Sequence, residues 1–324
     1  MCPHFSNRRT FMFLQILSKI SVLFVVFFIG GLIRHKKILT EESTKILARV
    51  VLVVTLPFLY FYSLATKFTA ELLKSIWVLP VFAVGIVIAA YGIASLLSRF
   101  ARLNSKEKAA FIYLGTFTNC GFLAIPIANA LYGSEGIIRV VFFNVGFNLL
   151  YWTLGVWTLK RSRENVRHEG AGILPFSKNL INSGTIGLLL GMIAGLAAFK
   201  IPYFILDSAN LVGSATIPLA LLVVGSIMSR VEMQKLQRYK RPLVLIALCR
   251  LIIVPALTLF VTGLFTSLSP LVRAIIVLQS AMPSASTTPI FTTRFGGDSQ
   301  LASAGVFVTT ACSIITIPIF ISLL

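Results

Sequence analysis

Acid is what this chain has least of. Of its 324 residues 10 are Asp or Glu and 3 are His. All ten acids, Glu41, Glu42, Glu71, Glu107, Glu135, Glu164, Glu169, Asp207, Glu232 and Asp298, fall in connections or near the ends of apolar runs, as do His4, His35 and His168. No carboxylate or imidazole therefore sits at mid-membrane as a general acid, a general base or a metal ligand. This excludes paired aspartates, an HExxH helix and a serine–histidine couple. A Walker A sequence is missing too, so the chain hydrolyses no nucleotide by itself. The four cysteines, Cys2, Cys120, Cys249 and Cys312, are scattered and give neither a disulfide framework nor a metal-spaced cluster. Neither an enzyme nor a cofactor is expected.

Charge of any sign is sparse, at 12%, against 57% hydrophobic residues and a mean hydropathy of +0.91. Soluble domains carry about a quarter charged residues, so this is an integral membrane protein with little soluble mass. The net charge of +19 would suit nucleic acid were it clustered. It lies instead in short connections between apolar runs, the distribution by which multipass proteins orient themselves, and nucleic acid is excluded.

Ten apolar runs long enough to cross about 30 Å of hydrocarbon are expected near 14–33, 44–66, 74–98, 108–131, 137–159, 179–199, 206–229, 243–265, 271–293 and 300–323. The first ends at Gly30-Gly31-Leu32-Ile33 and meets Arg34-His35-Lys36-Lys37, a stop-transfer flank rather than a cleavage site. Met12 offers a second start. Basic residues accumulate in alternate connections, among them Arg99, Arg102, Lys106 and Lys108, then Lys160, Arg161, Arg163, Arg167 and Lys178, then Arg230, Lys235, Arg238, Lys240 and Arg241. That excess puts these connections in the cytoplasm and both termini outside a cell (plasma or inner) membrane. The connection 160–178 divides the chain into halves 1–159 and 179–324. With five spans each, the halves enter from opposite sides, so a duplication has to be an inverted repeat.

Two apolar stretches are interrupted at matching places. The first, Lys108 to Gly136, carries Asn119, Gly121 and Pro126; the second, Leu271 to Ser299, carries Pro283-Ser284-Ala285-Ser286-Thr287-Thr288-Pro289. Pro126 and Pro289 are 163 residues apart, as are Tyr132-Gly133 and Phe295-Gly296, and Glu135 and Asp298. Thr55-Leu56-Pro57 likewise returns as Thr216-Ile217-Pro218. An unwound turn survives in hydrocarbon only where protein buries it or it lines a wet cavity. Paired interruptions in two halves are the sequence pointer to a transporter's site. The fold expected is all-α integral membrane, with ten transmembrane helices as two inverted five-helix repeats and broken crossover helices four and nine. Orphan N–H groups at the restarted half-helices attract anions, and the hydroxyls of the second break donate to a carboxylate.

Arg250 lies deep in RPLVLIALCRLIIVPALTLF with no buried acid to pair it; carbonyls, snorkelling or an anionic substrate are left as partners. Asn144 and Asn148, four apart, share a helix face and either line the cavity or bond a neighbouring helix. Gly187, Gly191 and Gly195 form a face for close helix packing.

The run Asn119-Cys120-Gly121-Phe122-Leu123-Ala124-Ile125-Pro126, with Leu131-Tyr132-Gly133 after it, resembles the fourth-helix signature of the auxin efflux carrier family, which includes plant PIN proteins and bacterial dicarboxylate permeases. Met282-Pro283-Ser284-Ala285, followed by Phe295-Gly296-Gly297-Asp298, looks like its ninth-helix counterpart. The resemblance implies a secondary carrier whose crossing helices cradle the substrate, with the second and seventh helices on the scaffold side. The sequence departs from plant relatives in its short middle connection and in lacking a mid-membrane acid. The expected site is Asn119, Cys120, Gly121, Pro126, Asn148, Arg250, Pro283, Ser284, Ala285, Ser286, Thr287 and Pro289. Its expected partners are a small organic anion, a coupling ion (proton or sodium) and membrane lipids, with a homodimer left open. A receptor or gated channel that keeps the same fold is the alternative.

Overall fold

The computed structural model describes residues 4–162, 183–197, 200–229 and 233–324. The middle connection and the first turn of the expected sixth span lie outside them. In chain order the helices are α1 (His4–His35), α2 (Glu41–Val50), α3 (Leu56–Lys67), α4 (Ala70–Ile76), α5 (Val78–Ser98), α6 (Ser105–Thr116), α7 (Ala124–Leu150) and α8 (Val156–Lys160). The second half adds α9 (Ser183–Leu196), α10 (Tyr203–Ser214), α11 (Thr216–Met228), α12 (Met233–Arg238), α13 (Lys240–Leu248), α14 (Val254–Leu264), α15 (Pro270–Ala281), α16 (Thr288–Phe295) and α17 (Ser299–Ser322). Wide π-helical turns at Val51–Thr55, Tyr151–Gly155 and Cys249–Ile253 join α2 to α3, α7 to α8 and α13 to α14.

Helix starts follow local side-chain chemistry. Asn104 accepts from the Glu107 N–H at 2.9 Å while the Glu107 carboxylate accepts from the Asn104 N–H at 3.1 Å, a reciprocal cap that fixes where α6 begins. Thr40 and Ser43 do the same for α2. Asp298 starts α17 by accepting from the N–H groups of Gln300 and Leu301, both at 2.8 Å.

Among the described residues seven helical segments are long and apolar enough to span a membrane: Leu14–His35, Glu41–Lys67, Ala70–Ser98, Ala124–Lys160, Tyr203–Met228, Lys240–Leu264 and Ser299–Ser322. The expected fourth and ninth runs are not among them because each is cut into pieces. The fourth stops at Thr116 and restarts at Ala124, then continues beyond a kink at Gly133 (φ 61°) into the expected fifth. The ninth stops at Ala281 and restarts at Thr288. The described part of the sixth is only 14 residues long. Lipid-ready side chains cover the outer faces: Val22, Val25 and Phe28 of α1, Val81 and Ile88 of α5, and Ile186, Leu189 and Ile193 of α9 are all exposed. Apolar exposure on this scale is what a hydrocarbon solvent requires.

Glycines seat two helix pairs backbone to backbone. Gly187, Gly191 and Gly195 of α9 lie on Pro57, Phe61 and Leu64 of the α3 region, where a Cβ on Gly191 would stand 2.9 Å from the Phe61 carbonyl. Gly30 of α1 lies on Leu222 of α11, and Gly225 of α11 on Phe27 of α1. Small residues permit this approach, and dispersion between the backbones is the return. Thr216 donates to Thr55 at 2.9 Å, so the two copies of the Thr-x-Pro tripeptide touch. These four helices form one layer. The broken segments, with α5, α7, α13, α14 and α17, form the other, which holds most of the buried core.

Candidate functional site: a crossing of two broken helices

The two interruptions meet each other. Asn119 donates its N–H to the Pro283 carbonyl at 2.8 Å and Ala285 donates to the Phe117 carbonyl at 2.9 Å, which makes Thr118 and Ser284 a single antiparallel pair between α6/α7 and α15/α16. Pro283 accounts for the stop of the second run, since Met282 before it is held extended, and Pro289 sits in the first turn of the restarted α16, where its missing N–H is tolerated. Beyond the breaks, the restarted half-helices each end at a glycine of positive φ, Gly133 at 61° and Gly296 at 118°, a conformation open to glycine at little cost. Those glycines are the pair that the offset of 163 residues places together.

Each helix that stops at the crossing leaves carbonyls without an intrahelical partner, and each that starts there leaves N–H groups. The carbonyl side of α6 is fully answered. Tyr113 O accepts from the Phe117 N–H at 3.0 Å, Leu114 O from the Ser284 hydroxyl at 2.8 Å, and Gly115 O and Thr116 O from Arg250 Nη1 at 3.5 and 3.3 Å. Arg250 also reaches the end of α15, donating through Nε to Met282 O at 3.1 Å and through Nη2 to Ser280 O. Its side chain is fully buried, and it rises from the π-helical turn between α13 and α14. Of the three partners the sequence left open for Arg250, backbone carbonyls are the ones present.

The N–H side is bare in the turns that lead into the restarted helices. In the turn before α7 the hydrogen bonds begin with Ala124 N–H to Asn119 O and Ile125 N–H to Gly121 O. Among the described residues no backbone carbonyl meets the N–H groups of Cys120 to Leu123, or of Ser286 and Thr287 before α16. Asn119 is 3% exposed and its side-chain Nδ2 has no partner; Thr118 Oγ1 beside it has none either. A Cβ placed on Gly121 would meet open space. Ser286 and Pro289 line a cavity of about 130 Å³ together with Thr44, Lys45, Ala48 and Met228, which places it between the crossing and the glycine-packed layer. A second, wider cavity of about 750 Å³ lies at the other end of the molecule, where Lys19, Tyr132 and Arg273 contribute to its wall.

The remaining expected residues sort by what they touch. Pro126 and Ala285 are buried, Ser284 spends its hydroxyl on Leu114 and its N–H on Thr309 Oγ1 at 3.2 Å, and Thr287 meets the Tyr151 hydroxyl at 2.7 Å. Cys120 is half-buried and a free thiol. Asn148 is half-buried, whereas its neighbour Asn144 donates to Cys120 O at 3.1 Å and accepts from Gln279 Nε2 at 3.2 Å. Gln279, Thr309 and Tyr151 are thus site supports that the sequence reading passed over. Gln279 was the detectable one, being the single amide in the apolar run of α15. Behind Thr287 an aromatic group of Phe117, Phe147, Tyr151 and Phe291 packs with ring centroids 5.0 to 5.9 Å apart. Among the described residues no three His, Cys, Asp or Glu side chains gather to hold a metal.

Residues 15–321 match the family described as membrane transport protein. The chain belongs to that family, the auxin efflux carriers. An uncharacterized transporter of Methanocaldococcus jannaschii is 25% identical over 304 residues, 92% of this chain and 96% of the relative. Another, of Methanothermobacter thermautotrophicus, is 26% identical over 310 residues, 93% and 95% of the two chains. The protein is therefore a multipass membrane protein of a transporter family rather than of an enzyme family.

Proposed function

We propose that the chain is a secondary carrier for a small organic anion, a carboxylate in the first place, bound at the N–H side of the crossing and moved by alternating access. The observation that carries this is the antiparallel pair at Thr118 and Ser284, which brings together the two turns that lead into α7 and α16, where the N–H groups of Cys120 to Leu123 and of Ser286 and Thr287 meet no backbone carbonyl among the described residues. Each N-terminus carries roughly half a positive charge, so two of them match one carboxylate. Asn119 Nδ2 supplies a fixed donor and Ser286 a hydroxyl, both within a protein wall that keeps bulk water from screening them. Lys45, on the wall of the adjoining cavity, is paired there with Glu41 at 2.8 Å, so the approach carries a balanced ion pair and the positive potential comes from the crossing itself.

Ten spans in two inverted halves fit this reading. Counting α6 with the first part of α7, the rest of α7 with α8, α9, and α15 with α16 as crossings completes the number with both termini on one side, and the basic connections then face the cytoplasm. The reciprocal seating of α9 on α3 and of α1 on α11 is what an inverted pair of repeats produces. The layer of α1, α3, α9 and α11 is the scaffold, and the crossing layer moves against it.

The test is thermal stabilisation of the purified protein by a panel of mono- and dicarboxylates at two pH values, followed by counterflow in proteoliposomes. A carrier gives saturable flux that substrate on the far side accelerates, and stabilisation by at least one carboxylate through mass action. Flux without exchange would make the protein a channel; binding without flux would make it a receptor. No response to any anion would end the carboxylate assignment.

A further inference from the structure

The bare N–H side and the occupied carbonyl side of the crossing call for different chemistry, and the occupied side holds a cation already. In broken-helix transporters, half-helix C-terminal ends and unwound carbonyls are the groups that coordinate a coupling cation. Here the same kinds of groups, Gly115 O, Thr116 O, Ser280 O and Met282 O, all accept from the one guanidinium of Arg250. The charge count closes as well. Two helix C-termini carry roughly −0.5 each, and one guanidinium, charged at any working pH, balances both. No carboxylate is needed beside it, which agrees with the absence of any acid among the described buried residues.

We infer that Arg250 is a resident replacement for a coupling cation: a positioning residue that fills the cation place between α6 and α15, so that sodium has no seat at the crossing. Bound in this way, the charge is covalently part of the moving layer and crosses no membrane as cargo. An anion on the N–H side is then held by a crossing whose opposite poles are each neutralised once, by Arg250 and by the substrate. This last consequence rests on the carrier reading above; the occupancy of the carbonyl cluster does not.

The experiment uses the full chain, purified without any carboxylate, and reads melting temperature in sodium chloride against choline chloride at equal ionic strength. The wild type is expected to melt at the same temperature in both. Arg250→Ala empties the cluster and leaves four carbonyls facing a space the size of a guanidinium. That variant is expected to melt lower in choline chloride, and to recover by several degrees in sodium chloride or in millimolar guanidinium chloride. Arg250→Lys keeps the charge and is expected to fold with no sodium response. Where Arg250→Ala yields no folded protein, Arg250→Gln, neutral and with two donors, is read in the same way. A wild type stabilised by sodium over choline would overturn the inference. So would a neutral variant that neither sodium nor guanidinium raises, since a merely structural arginine predicts loss without rescue. Because no anion is present, failure here leaves the carboxylate reading standing, and failure of the carboxylate panel leaves this result unaffected.

Discussion

The two poles of the crossing differ in how completely the chain satisfies them. At the carbonyl pole every one of the last four carbonyls of α6 has a donor, drawn from three different places in the sequence: the adjoining backbone at Phe117, the Ser284 hydroxyl and the Arg250 guanidinium. At the N–H pole the backbone N–H groups of Cys120 to Leu123 and the buried Asn119 Nδ2 are left without protein partners among the described residues. An unmade hydrogen bond in a buried place costs about 1–3 kcal/mol, and a protein that fills one pole so thoroughly has the means to fill the other. The asymmetry separates what holds the fold from what the proposed function assigns to a ligand.

That separation is open to attack, most forcefully at Arg250. Arg250→Ala strands four carbonyls and is expected to cost about 3 kcal/mol or more of stability; a denaturation midpoint that barely moves would erase the distinction between the poles. Next comes Asn144→Leu, which removes the link from Gln279 to Cys120 O and leaves two buried groups unpaired, for about 1–3 kcal/mol. The same midpoint measurement, repeated with Gln279→Leu and the double variant, should show the two losses to be far from additive. Tyr239→Phe probes the end of the molecule outside the spans, where the phenol donates to Asp298 at 3.1 Å. About 1 kcal/mol or less is expected there. Burial first, then the neighbouring Asp298 charge, pushes the Tyr239 phenol up to about 12. Because the folded state favours the neutral phenol, its contribution is complete below pH about 10 and fades as pH rises toward 12; the variant should lack that alkaline loss. Smallest of all on stability is Asn119→Ala, expected to leave the midpoint unchanged while weakening anion affinity roughly ten- to a hundredfold, the worth of a hydrogen bond to a charged group. A folded Asn119→Ala that binds carboxylates as tightly as the parent would remove Asn119 from the site.

Much of the fold was legible because interruptions in an apolar run are conspicuous. Asn119, Gly121 and Pro126 on one side and Pro283 and Pro289 on the other announce helices that stop, and the α6/α7 and α15/α16 breaks fall there. The glycines at 187, 191 and 195 name their own face, and Gly133 and Gly296 share both a sequence offset and a left-handed backbone. Span counting by length was less legible for the same reason: a helix cut into two pieces is too short to qualify, and one that runs through the Gly133 kink joins the expected fourth and fifth runs into 37 residues. What the sequence could not show was partnership across the crossing. Nothing in RPLVLIALCRLIIVPALTLF says that Arg250 ends on carbonyls of two other helices, and nothing near Ser284 says that its hydroxyl is spent on Leu114. Those are three-body facts, fixed only when the halves interlock.

The antiparallel pair at Thr118 and Ser284 has a consequence for motion. Two backbone bonds and one guanidinium stitch the broken helices into a single piece. Pulling them apart would strip several buried polar groups of their partners at once, each at the cost of an unmade hydrogen bond. Neither helix can therefore open alone like a gate. On the proposed carrier reading, whatever is bound there travels with its whole cradle, and the boundary along Thr44, Met228 and Ser286, where a cavity already separates the two layers, is the surface on which it would slide.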